Sequence, residues 1–110
     1  MIEDTLAKIE GRLRKADVLT KGQRTELLGL LSTLKAEIEQ LSKTHSEQAQ
    51  SITAFTEVST HEATRRERDP QLLRLSVEGL SASVQGFEGS HPKLVEIVNA
   101  ISLMLSNSGV

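Results

Sequence analysis

Eleven positions between Leu27 and Glu62 recur at alternating spacings of four and three: Leu27, Leu31, Leu34, Ile38, Leu41, His45, Gln48, Ile52, Phe55, Ser59 and Glu62. Such a seven-residue repeat is the seam of a helix that buries one stripe along its length. No glycine or proline falls between Gly29 and Pro70 to interrupt it. The spacing predicts one long central helix over about 21–68, on the order of 70 Å at ~1.5 Å per residue. That is more than a compact chain of 110 residues can cover. The expectation is therefore an all-α protein of four helices, one domain over 1–110, completed by association with further copies, a dimer first and a trimer or tetramer next.

The remaining helices follow from caps and periodicity. Ile2, Leu6, Ile9 and Leu13 share one face of a first helix over about 3–16. Thr20-Lys21-Gly22-Gln23 matches a capping box at the start of the second. Leu27, Leu28, Leu30, Leu31 and Leu34 form a stripe wide enough for at least two neighbours. Thr44-His45-Ser46-Glu47 and Ser59-Thr60-His61-Glu62 could each cap a new helix, yet the repeat stays in phase through both, which favours continuity. Asp69-Pro70 marks a boundary and a fresh start. A third helix is expected over about 70–88, with Leu73, Val77, Leu80, Val84 and Phe87 on its buried face, broadened by Leu72 and Leu75. Gly89 is read as its left-handed stop, and the turn Ser90, His91, Pro92 as the start of the fourth. In that last helix Leu94, Ile97, Val98, Ile101 and Leu105 are assigned to core or interface, making it the expected most buried element. Only Arg74, Glu78, Glu88, Lys93 and Glu96 carry charge after Pro70.

Composition narrows the function classes. A net charge of -2 gives no field to draw the chain onto nucleic acid or anionic lipid. The most apolar window, 94–105, is shorter than the ~20 residues of a membrane span. Cysteine is absent, which removes disulfides, thiolate zinc sites and a cysteine nucleophile. The first residues alternate charge with apolar side chains, unlike a secretory signal. A cytoplasmic protein with no cofactor, no nucleic-acid partner and no membrane partner is expected.

Few residues invite a chemical role. His45, Gln48, Ile52 and Phe55 lie on the predicted seam, where a polar layer would set register and oligomeric order; a metal or anion at His45 is the weaker reading. Glu57 and His61 are four apart, whereas carboxylate-bridged di-iron bundles space Glu and His by three. His61 with Arg65 and Arg66 is similar to the histidine of phosphotransfer bundles, but lacks the glycine or alkyl-basic pair expected after it. Arg65, Arg66 and Arg68 interleave with Glu62, Glu67 and Asp69, a pattern of helix-end salt bridging rather than phosphate binding. His91 is expected to bond to carbonyls or amides of its own turn.

The segment Phe87-Glu88-Gly89-Ser90-His91-Pro92-Lys93-Leu94, the apolar helix after it and the end Leu105-Ser106-Asn107-Ser108-Gly109-Val110 resemble the small bacterial family known as domain of unknown function 4404. The amphipathic first helix, capped turn and leucine-rich second helix, Leu6 to Leu41, resemble it too. About two-thirds of the chain carries the likeness, which departs at Gly89 and over Thr44 to Asp69. It implies a small all-helical bacterial protein and brings no activity or catalytic residues. The chain is thus expected to be a non-enzymatic module that self-associates or binds an unknown protein, the alternative being a phosphotransfer-like domain using His61.

Overall fold

A computed structural model describes residues 2–107, which form five helices: α1 (Ile2–Lys15), α2 (Lys21–Ser42), α3 (Ser46–Thr64), α4 (Pro70–Ser83) and α5 (Pro92–Asn107). The first two are built as their residues dictate. Leu6, Ile9 and Leu13 of α1 are buried, as are Leu27, Leu31, Leu34, Ile38 and Leu41 of α2. The capping box is complete: the Gln23 amide donates to Thr20 Oγ1 at 3.1 Å, and the Thr20 amide donates to Gln23 Oε1 at 2.9 Å. Arg24 completes the corner from the other side. Its guanidinium donates to the carbonyls of Leu13 (3.2 Å), Ala16 (2.7 Å) and Leu19 (3.4 Å), satisfying groups that the end of α1 leaves open.

The long central helix does not exist. The backbone leaves α2 at Lys43, and α3 starts afresh at Ser46 with His45 at its N-cap. Hydroxyl side chains cluster at this break and compete for the backbone: Ser42 Oγ donates to the Glu39 carbonyl at 2.9 Å. The Leu41 carbonyl accepts the amides of both Thr44 (3.1 Å) and His45 (2.8 Å), closing the last turn tightly. The chain then folds back. The longest helix is α2, about 33 Å at ~1.5 Å per residue, and the molecule measures 37 × 24 × 22 Å with a radius of gyration of 12.9 Å. That radius is what a compact chain of this length has (~13 Å), so no over-long helix demands a second subunit.

The break also moves the buried stripe. In α3 it consists of Ala49, Ile52, Thr53, Thr56, Ser59, Thr60, Glu62 and Ala63, so of the extrapolated seam Ile52, Ser59 and Glu62 are buried while Gln48 and Phe55 are exposed. Threonine is tolerable inside because its hydroxyl can return to the preceding turn: Thr53 Oγ1 donates to the Ala49 carbonyl (2.8 Å) and Thr56 Oγ1 to that of Ile52 (2.7 Å). These small side chains let α3 pack against all four other helices. It is α3, rather than the last helix, that occupies the middle of the fold. In α5, Leu94, Val98, Ile101 and Leu105 are buried, but Ile97 is only partly so and Leu103 is 64% exposed.

Asp69 caps α4 as its sequence predicts, accepting the amides of Gln71 (3.0 Å) and Leu72 (3.2 Å), with Pro70 in the first turn. The helix stops at Ser83, short of the expected Glu88. Gly86, not Gly89, takes the left-handed conformation, with φ +96°. The Glu88 carboxylate accepts the Gly86 amide through both oxygens at 2.9 Å. The last helix begins at Pro92, as read from the sequence, and its first turn closes with the Val95 amide donating to the His91 carbonyl.

Candidate functional site

Two groups of side chains stand out from the packed interior. The first is a clasp at the end of the molecule where the α2–α3 break meets the α4–α5 connection. His45 and His91 both stand edge-on to Phe87, each with ring centroids 5.5 Å from it, and their own centroids are 6.2 Å apart. Each imidazole is oriented by the hydroxyl just before it: His45 Nδ1 lies 2.8 Å from Thr44 Oγ1, and His91 Nδ1 lies 2.9 Å from Ser90 Oγ. The expected bond from the His91 ring to carbonyls or amides of its turn is replaced by this hydroxyl contact. His45 is therefore no layer of a coiled-coil seam; it ties the break in the chain to the turn before α5. Edge-to-face pairs of this kind contribute ~0.5–1.5 kcal/mol beyond the area they bury.

His61 lies elsewhere, on α3 facing α1. Arg12 Nη1 is 3.2 Å from His61 Nδ1, and since a guanidinium can only donate, the ring nitrogen is the acceptor. In a neutral imidazole that acceptor is also the nucleophilic atom, so the lone pair a phosphoryl group would need is occupied by Arg12. Of the expected helix-end ion pairs one forms: Arg65 Nη1 lies 2.9 Å from Glu62 Oε1, with Glu62 largely buried. Asp69 serves as a cap instead, and Arg66 and Arg68 make no ion pair among the described residues. Among those residues no cluster of three or more His, Asp or Glu side chains could hold a metal ion, and no helix is long and apolar enough to cross a membrane.

The second group is an apolar face along the α3–α4 hairpin. The short connection 65–69 makes the two helices antiparallel neighbours. Phe55 of α3 lies across Gly79 of α4 so closely that a Cβ there would collide with Phe55 Cε1 and sit 2.6 Å from Cδ1. The glycine is what lets the ring lie down on α4. One turn along α3 is Val58; one and two turns back along α4 are Leu75 and Leu72, on the same side as Gly79. These four are exposed by 40% (Phe55), 45% (Val58), 42% (Leu72) and 51% (Leu75). Ser51 and Ala54 on α3 and Ala82 on α4 extend the face without adding charge. Leu72 and Leu75 therefore do not broaden the internal stripe as expected; they point outward. A face that is apolar at its centre, with charge only at its margins such as Glu78 three residues beyond Leu75, has the composition of a protein interface.

Of the predicted seam residues, then, the fold sends His45 to the clasp, Gln48 to solvent, Ile52 to the core and Phe55 to this face. The companions Val58, Leu72 and Leu75 were missed as a group. Their signal was available only once α3 and α4 were known to be adjacent, because on either helix alone two apolar residues off the main stripe mean little.

No curated protein and no solved structure matches the chain. One family does, and its match reaches through the 44–69 segment that the sequence likeness had left out: over residues 2–110 the chain belongs to the family described as Domain of unknown function (DUF4404).

Proposed function

We propose that this chain is a non-enzymatic interaction module that pairs with a second copy of itself through the α3–α4 face. The observation that carries the reading is the alignment of Phe55, Val58, Leu72 and Leu75, each two-fifths exposed or more, on one side of a hairpin. A two-fold dimer brings the same patch together from both subunits, so the patch must tolerate itself. An apolar face with no charge at its centre meets that condition. Sedimentation equilibrium of the full chain at micromolar concentrations is expected to give a dimer. The double substitution Leu72→Glu, Leu75→Glu is expected to give a monomer of unchanged helix content, since neither side chain is in the core. A wild-type monomer throughout, or a doubly substituted dimer, contradicts the proposal.

A histidine-centred phosphotransfer domain at His61 is the rival reading; the exposed ring favours it, and the Arg12 contact that occupies Nδ1 counts against it. Phosphodonor treatment with detection of acid-labile phosphate, compared with His61→Ala, separates the two. The interaction module predicts no label in either.

A further inference from the structure

A cleft lies on the other flank of α4 from Leu72 and Leu75, where the start of α4 meets the end of α5. It has a volume of about 470 Å³ and is lined by Arg68, Pro70, Leu73, Arg74, Val77, Glu78 and Ser106. That is within the range of small-molecule sites (~300–1,000 Å³). Its floor is apolar, made by the inward side chains of Leu73 and Val77 and by the Pro70 ring.

Two arginines, Arg68 and Arg74, are among the lining residues. Neither Arg68 nor Arg74 makes an ion pair among the described residues, whereas Arg65 is paired to Glu62. Two acids flank Arg68 in sequence, Glu67 and Asp69; Asp69 has an oxygen committed to the amides of Gln71 and Leu72, and Glu67 is not among the residues that line the cleft. Among the described residues the one acid in the lining is Glu78, four residues beyond Arg74 and so one helical turn further along α4. Among the described residues the lining therefore combines an apolar floor with two arginines against one glutamate. Planar guanidinium groups match the geometry of a carboxylate, which can accept two parallel hydrogen bonds.

We propose that this cleft binds a medium-chain fatty acid, its carboxylate toward Arg68 and Arg74 and its hydrocarbon chain over Leu73 and Val77. A chain of about ten carbons is in keeping with a small-molecule site of this size. The inference is independent of self-association, because it concerns the opposite side of α4.

The test is a titration of the isotope-labelled full chain with decanoate, below its micelle concentration, followed by NMR. Saturable one-to-one binding is expected, with shifts at Leu73, Val77 and the end of α5. Decanol, with the same chain and no charge, is expected to bind at least ~10-fold more weakly, and Arg68→Gln with Arg74→Gln is expected to lose a similar factor. Glu78→Gln is expected to tighten binding. Neither arginine side chain has a hydrogen-bond or ion-pair partner among the described residues, so their replacement is expected to leave the fold intact, which the unperturbed remainder of the spectrum verifies. Equal binding of decanol and decanoate, shifts centred on Phe55 and Leu75, binding only to anionic phospholipid vesicles, or no saturable binding overturns the proposal.

Discussion

Thr53, Thr56, Ser59 and Thr60 are the residues on which a reading by hydrophobicity goes astray. They look like surface, yet they are at most 2% exposed. Hydrogen-bond geometry separates them. Thr53 and Thr56 return their hydroxyls to the helix backbone, whereas Ser59 Oγ and, on α5, Ser102 Oγ are buried with no partner. An unsatisfied buried hydroxyl costs ~1–3 kcal/mol. Ser59→Ala is accordingly expected to raise the unfolding free energy by about 1 kcal/mol, while Thr56→Ala lowers it by ~1–3 kcal/mol through a lost bond and a small void. Urea unfolding of both variants checks the opposite signs. The sequence contains nothing that distinguishes these hydroxyls from exposed ones, because the distinction is made by which neighbour covers them.

Helix starts marked by a capping side chain were legible, whereas the end of α2, the start of α3 and the end of α4 were not. Thr20 with Gln23, and Asp69 with Pro70, each present a side chain whose chemistry acts on the amides just after it, so the signal is local. The end of α2 depends instead on competition among weak preferences over Ser42 to Ser46, which a repeat in phase across the gap concealed. Two glycines near the end of α4 show the same contrast. Gly86 has φ +96°, a conformation that side-chain-bearing residues rarely adopt, while Gly89 has no positive φ and open space around a Cβ. Gly86→Ala is expected to destabilise by ~1–2 kcal/mol and Gly89→Ala to be near neutral, as read by thermal unfolding. At the other corner Arg24 holds three carbonyls, so Arg24→Met is expected to cost about 2 kcal/mol although it removes no ion pair.

For the whole molecule, the amphipathic faces of α1, α2 and α5 predicted an all-helical protein, and the family match agrees with the likeness seen in its ends. Closure into a globule of five helices was not legible, because it follows from one short break that turns α3 back into the middle of the fold. That closure buries the leucine stripe within one chain and leaves the apolar face on α3 and α4 exposed, the face through which we propose that the chain pairs. Gly79 matters at this scale. Gly79→Val would lift the Phe55 ring off α4, and it is expected to weaken self-association by ~10-fold or more, seen as a concentration shift in sedimentation, while the core residues remain buried.

The central claim is that two copies meet face to face over Phe55. A sample mixing isotope-labelled and unlabelled chains, observed by filtered NMR, detects only contacts between different molecules. Cross-peaks from the Phe55 ring to the methyl groups of Val58, Leu72 or Leu75 of the other copy are predicted. Intermolecular contacts confined to other helices, or none at concentrations where the chain is dimeric by sedimentation, would contradict it.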